Sequence, residues 1–385
     1  MLKQAAVAGV ALFAVAAAPA GAAPYMIVGN DEKPGTDAQG KSIVNATGND
    51  TVVIFDLANP EDPKVLVSLK LENSVVGPPV NLAISPDNSI ALVADSMTVS
   101  EENGVRKLTP TDKLFVIDLK ANPPKLAQTV TVGRQPSGLS ISPKGDMALV
   151  ANRGDGTISV LKIDGTTVTQ TGTLPISSGV SHVEFTPDGK HALAPKSPEN
   201  KVALLDIDGD KVSYNKLDIP TYAFPYNVVV SPDSKLALTA DNGNNGSSDG
   251  SLDAVTVIDL AAAHPHAIAH VTVGDAPEGL AISPNGNVAA ALNVDGSNLK
   301  GQWFYHPNGS VTVLSIQGKA VSPVGTVEVG ALPEGIAFTP DGRYLYVGNF
   351  IDQDVSILKV DGTSITDTGK RFKAGGHPAS MRMGP

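Results

Sequence analysis

No cysteine occurs in the 385 residues, which excludes disulfides, thiolate metal sites, a lipoprotein anchor and thioether haem attachment. Aromatic residues are only 4 % of the chain, with a single Trp, so its apolar material is mostly aliphatic. Positive charge is scarce too: 28 Lys and Arg against 39 Asp and Glu leave a net charge of −11, with no basic cluster. Such a chain is a poor partner for nucleic acid or an anionic membrane. No Gly-x-Ser-x-Gly elbow, phosphate loop or dinucleotide fingerprint is present. The apolar run Ala5 to Ala18 is too short for a comfortable membrane-spanning helix. It follows Met1-Leu2-Lys3-Gln4 and precedes Ala20-Gly21-Ala22, the pattern of an export leader. Residues 1–23 are therefore read as a signal peptide, and the mature protein as periplasmic or secreted, with no membrane anchor once the leader is removed.

Turn residues, by contrast, are plentiful, with 38 Gly and 29 Pro, and they recur in phase. A segment of the type Gly-Leu-Ala-Ile-Ser-Pro-Asn-Gly appears six times, its Ser/Thr-Pro prolines at Pro86, Pro143, Pro187, Pro232, Pro284 and Pro340, in steps of 57, 44, 45, 52 and 56 residues. A seventh copy, His377 to Pro385, stops where a second strand should follow. That strand is spelled at the other end: Tyr25-Met26-Ile27-Val28-Gly29-Asn30 matches Tyr344-Leu345-Tyr346-Val347-Gly348-Asn349 at four of six positions. A linear solenoid gains nothing from a split repeat, whereas a ring closed by its two termini does.

Within each unit, Ser-Pro-Asp-Gly is hairpin chemistry, with Pro at the second turn position and Gly where a positive φ is wanted. Alternating strands such as Thr157-Ile158-Ser159-Val160-Leu161-Lys162 follow, and Asp164-Gly165 or Asp361-Gly362 then turns into a fourth strand. Four strands in each of seven units predict an all-β, seven-bladed β-propeller of antiparallel blades, spanning 24–385 as one domain. Tyr346-Val347-Gly348-Asn349 and Leu149-Val150-Ala151-Asn152, placed after such turns, resemble the YVTN repeat family of bacterial seven-bladed propellers. That resemblance covers nearly the whole mature chain and implies a fold that hosts binding proteins, surface-layer proteins and lactonases alike.

Departures from the shared spelling locate candidate function, because the scaffold does not require them. Five residues before the turn proline, small residues prevail, yet Asn81, His182 and Asn227 intrude into what should be the channel wall. Nine after it, Lys196 stands where other units carry Asn or Asp. Glu278 and Glu334 share a register in adjacent units and could act as acid and base or bind a cation. Arg153, just after Asn152, could face the same channel mouth. Four connections on one face are long: Asn30 to Asp50, Asp95 to Asp112, Asp241 to Asp253 and Asn293 to Asn308. The last carries Gln302-Trp303-Phe304-Tyr305-His306, an aromatic tip suited to a flat ligand, a sugar ring or a protein partner. The third is oxygen-rich enough to suggest Ca²⁺ but lacks EF-hand spacing, so no cofactor is expected.

These features favour an exported, monomeric, non-catalytic binding or scaffold protein using the loop-rich face and channel mouth for a small-molecule or protein partner. The alternative is a lactonase-like hydrolase with His182 as base and Lys196 or Arg153 as anion contact, for which no nucleophile constellation is complete. From the leader pattern, N-terminal sequencing of protein released by periplasmic extraction should give a start near Ala23 or Pro24. An intact Met1 form recovered from washed membranes would refute export with cleavage.

Overall fold

The computed structural model describes residues 25–36, 42–74, 76–177 and 179–384. The expected leader lies outside the described residues. Seven antiparallel sheets form a propeller in which each innermost strand is followed outward by three more. Blade 1 is the split unit, ordered Pro378–Met383, Tyr25–Asn30, Thr51–Asp56 and Lys64–Lys70. The innermost strands of blades 2 to 7 are Leu82–Ile84, Pro136–Ile141, Glu184–Phe185, Pro225–Val230, Pro277–Ile282 and Pro333–Phe338. Blade 4 has a broken outer edge, with Lys211–Ser213 and Asp218–Pro220 sharing the side of one long strand.

The turn after the innermost strand of blades 2 to 7 is fixed by its Ser or Thr. In blade 2 the Ser85 hydroxyl donates to Asp87 at 2.7 Å and accepts the Ser89 and Ile90 amides at 3.0 Å. Ser231, Ser283 and Thr339 make the same donation two residues on, to Asp233, Asn285 and Asp341. The third residue after the Ser or Thr has positive φ, from 54° at Asn88 to 77° at Gly145, which explains the Gly preference there.

Apolar clusters lie between blades. Leu92 and Leu114 of blade 2 pack with Leu139 and Val150 of blade 3, and Leu238 of blade 5 with Leu280 of blade 6. The seven clusters run round the ring, the last joining Met26, Val28 and Met381 of blade 1 to Tyr346 of blade 7. Closure follows the expected register, with Met26 opposite Met383 and Val28 opposite Met381.

One expectation changes. The stretch Asp95 to Asp112 is mostly a twisted two-stranded arm rather than a loop, because Ile90–Glu102 and Val105–Asp118 pair far beyond the blade. A short hairpin, Pro34–Thr36 with Ser42–Val44, occupies part of the Asn30 to Asp50 connection.

Deleting residues 376–385 would remove the closing strand and the buried Met381. Truncating one buried Met costs about 2–5 kcal/mol, and at roughly 2 °C per kcal/mol for a chain this size the Tm should fall by at least about 4 °C in calorimetry. A shift under about 2 °C would show that this strand does not hold the ring closed.

Candidate active site

Each innermost strand begins where the loop after the second strand also lies, since Pro136 pairs with Asn152, Pro225 with Asp241, Pro277 with Asn293 and Pro333 with Asn349. Side chains from both places therefore converge on one mouth of the channel. Six residues before the turn proline stand Tyr226, Glu278 and Glu334 in consecutive blades 5, 6 and 7. Blade 3 sends Arg153 from the loop after its second strand.

Glu278 and Glu334 are half-buried and their carboxyl groups hydrogen-bond each other. They come together because Pro277-Glu278-Gly279 meets blade 7 without a Cβ: one on Gly279 would lie 2.5 Å from the Glu334 carbonyl oxygen. Burial pushes both acids above the usual carboxylate range, and mutual repulsion raises Glu334 further. Asn242 and Arg153 act on Glu278 in the opposite sense, favouring its ionised form, while Asp31 disfavours that form at Glu334. The two acids thus share raised, mutually dependent ionisation in unlike surroundings, with Asn242 and Arg153 acting on Glu278 and Asp31 on Glu334.

Arg153 also lies over the Tyr226 ring, 5.6 Å from its centroid. Burial and then the Glu278 charge raise the Tyr226 hydroxyl, which stays protonated. Asn227 donates to the Glu278 carbonyl at 3.4 Å and also hydrogen-bonds His182, and Asn242 donates to the Pro277 carbonyl at 3.4 Å, its own amide oxygen having no partner among the described residues.

The other candidates go elsewhere. His182 enters the channel wall but is wholly buried, its ring against Gly138 of blade 3 and Nε2 3.5 Å from Glu184. Burial, then Arg382, holds it well below its usual range, so it is neutral, and its complete burial does not suit the base role expected of it. Lys196 points along its sheet, ion-paired to Glu199 at 2.8 Å and Asp218 at 2.9 Å, and does not face His182. Its partners lie on its own blade because its register leans toward the third strand, as Asn152 does to Thr157 and Ser159. Asn81 is a clamp, donating to the Ser74 and Ala94 carbonyls at 3.1 and 2.9 Å. Trp303, 84 % exposed, and His306 line an outer cleft with Leu252 and Glu328, apart from the carboxyl pair.

The acids of the calcium-like loop serve the fold. Asp241 accepts from Thr239 and Thr256 and is pushed up to about 7 by burial, and Asp253 accepts the Ala276 amide at 2.9 Å. Among the described residues no three His, Cys, Asp or Glu side chains converge as a metal site. Sequence reasoning missed Tyr226, Asn242 and the deeper pair Glu184 and Arg382. Tyr226 shares the register of the two Glu, and Asn242 that of Arg153, so register comparison could have found both.

A family model described as "Lactonase, 7-bladed beta-propeller" matches residues 35–218 and 125–379. The chain belongs to this lactonase family of propellers. A Yersinia pestis 6-phosphogluconolactonase is 26 % identical over 271 residues, covering 66 % of this chain and 73 % of that protein. Solved structures share the fold at lower identity. A periplasmic gluconolactonase from Pseudomonas aeruginosa superposes with a TM-score of 0.68 at 17 % identity, over 94 % of this chain and 99 % of that one. A Desulfotomaculum acetoxidans protein of unknown function gives 0.70 at 15 %, over 94 % and 98 %. Family and relatives overturn the non-catalytic binding or scaffold reading and support the hydrolase alternative, whereas the YVTN-like spelling remains a resemblance.

One consequence concerns Glu184, which burial pushes up to about 7 against the pull of Arg382. Its folded pKa exceeds the unfolded value, so the folded state holds the extra proton, and stability falls as pH rises from about 4.5 to about 7. Glu184→Gln, which mimics the protonated form throughout, should gain on wild type in denaturant melts as pH goes from 5 to 8, by on the order of 2 kcal/mol. A pH-independent difference would show that Glu184 titrates normally.

Proposed function

We propose that this protein is an exported lactonase that opens a small lactone or ester by general acid–base hydrolysis at the channel mouth. The observation that carries the reading is the hydrogen-bonded pair Glu278 and Glu334, with Arg153 beside it, in a member of the lactonase family. The relatives named 6-phosphogluconolactonase support the same reaction class.

Glu278, the carboxylate of the pair, takes a proton from a water molecule as its oxygen bonds to the lactone carbonyl carbon. The developing oxyanion is met by the Arg153 guanidinium. Glu334 then gives its proton to the ring oxygen as the C–O bond breaks, and the product is a hydroxy acid. Water is the sole co-reactant, and the proton on Glu278 restores the pair with the acids exchanged. A route through His182 is disfavoured by its burial. Export rests on the leader pattern.

Activity should rise with pH through the pair's first ionisation, which frees Glu278, and fall through the second, which strips Glu334. Both limbs should lie above the ordinary carboxylate range because both acids are raised. Tyr226, Arg153 and Asp31 are the other titratable groups acting on the pair. With a panel of sugar lactones, Glu278→Gln and Glu334→Gln should each lower kcat by about 10²–10⁴-fold, and Glu334→Gln should lose the alkaline limb. Absence of hydrolysis by wild type across the panel, or full activity in both variants, would overturn the proposal.

A further inference from the structure

We propose that the outer cleft beside Trp303 docks an extended, arginine-bearing segment of a partner protein, with one guanidinium stacked on the Trp303 ring and facing the acids of the cleft floor. The cleft lies outside the carboxyl pair's mouth, and the proposal does not use the hydrolytic reading.

Trp303, 84 % exposed, and Leu252, 67 % exposed, are the two most exposed large apolar side chains among the described residues, and both line this one cleft of about 490 Å³. Apolar groups left in water together, with polar groups around them, mark an interaction site. The tip that carries Trp303 is held in place. Phe304 sits against Gly250 and Gly296, at φ 84° and 68°, where a Cβ would come within 2.7 and 2.9 Å of it. Trp303 in turn meets Phe304 edge to face, with ring centroids 5.5 Å apart. The half-buried Phe304 thus anchors its exposed neighbour, and little side-chain freedom is left to lose when a partner covers the indole.

Charge decides what that partner carries. Asp275, Asp295 and Glu328 line the cleft, and no Lys or Arg does. Their hydrogen-bond donors are neutral. Asp275 accepts the Asp249 and Gly250 amides at 3.2 and 2.9 Å, Asp295 the Asp275 amide at 3.0 Å and the Ser310 hydroxyl at 2.6 Å, and Glu328 the Asn308 side chain at 2.9 Å. Such donors orient the carboxylates but leave their charge unbalanced. Burial raises Asp275 above its ordinary range, and the charges of Asp249 and Asp295 add to that. A guanidinium answers both features, since it stacks on an aromatic face while its N–H fork reaches carboxylate oxygens. A neutral sugar would stack on Trp303 and leave the charge as it is. Length favours a stretch of chain over a small free cation. The cleft shares Asn308, Thr326 and Glu328 with a second one of about 720 Å³ toward blade 7, where Asp352 and Asp367 continue the acidic wall. Arg371, the cation of that second cleft, lies 3.7 Å from Asp354.

Because Trp303 is the only Trp, its fluorescence reports on this cleft alone. The probe is a capped heptapeptide of alternating glycine and arginine, titrated into the whole protein, with the glycine–serine peptide and maltohexaose as the neutral comparisons. The arginine peptide should quench the emission saturably with Kd below about 1 mM, and its affinity should fall at least about threefold as salt is raised from about 0.05 to 0.15 M. In calorimetry, Trp303→Ala and Glu328→Gln should each weaken it by at least about threefold, within the range of an exposed cation–π contact or a charged rim pair. Both side chains lie at the surface, and an unchanged Tm would show that the variants fold. Three results would overturn the proposal: no quenching by the arginine peptide, equal quenching by the serine peptide, or saturable quenching by maltohexaose with the arginine peptide silent. Binding that persists unchanged in both variants would also overturn it, because the peptide would then be drawn to the net negative charge of the chain and not to this cleft.

Discussion

The structure depends on apolar contact between the faces of neighbouring blades, since no blade has a core of its own. Along the second strand of blade 3, Met147, Leu149 and Ala151 pack toward blade 4, while Ala148 and Val150 pack toward blade 2. Both faces of a sheet are thus apolar, and each needs a neighbour to keep it from water. A row of such units could end only by exposing a face. A ring has no end, and the cost of closing it falls on blade 1, whose innermost strand comes from the C-terminus and whose next strand comes from the N-terminus. Met381 meets Tyr346 of blade 7 there, so the two ends of the described chain are held by the same packing that holds every other pair.

The mouth inherits this dependence. Tyr226, Glu278 and Glu334 sit on three consecutive blades, and Arg153 reaches Tyr226 from blade 3 across blade 4. Blade 4 carries Ser181 and Ser197 at the equivalent places, both buried and both donating to the backbone of blade 5, to the Tyr226 and Pro225 carbonyls. Small side chains there leave room for the guanidinium to pass. The cluster is therefore a property of the assembled ring, and a change in the tilt of one blade would separate groups whose raised pKa values depend on mutual contact and exclusion of water.

How much of this was legible follows from what a repeat reveals. Repetition exposed the blades, their turns and the split seventh unit, because each was spelled several times and the last was completed at the other terminus. It also placed Glu278 beside Glu334 and Arg153 at the same mouth. Register gives a position along a strand but not the direction in which a long side chain leans. Lys196 was misread for that reason: its ammonium turns outward to Asp218, on the path that the short Asn152 takes to Thr157. His182 intrudes where expected, but the hole that receives it is made by the missing side chain of Gly138 in the neighbouring blade, which seals the ring from solvent. The Asp95 to Asp112 arm, by contrast, was legible and overlooked: Met97 and Val99 alternate with Ser96, Thr98 and Ser100, and Asn103-Gly104, both with positive φ, is a hairpin turn.

The carboxyl pair shows how a symmetric scaffold produces unlike partners. Pro277-Glu278-Gly279 and Pro333-Glu334-Gly335 are the same tripeptide in the same register, and on isolated blades the two acids would be equivalent. The ring makes them unequal through their neighbours. Glu278 has Asn242 to donate to it and Arg153 to balance its charge, whereas Glu334 has Glu278 and Asp31, both of which oppose ionisation. Asn242, Asp31 and Arg153 all occupy the first position after a second strand, one in blade 5, one in blade 1 and one in blade 3. Three different residues at one repeated position thus give two identical acids unlike surroundings, and the proposed division of acid and base between them rests on the loops around the pair rather than on the pair alone.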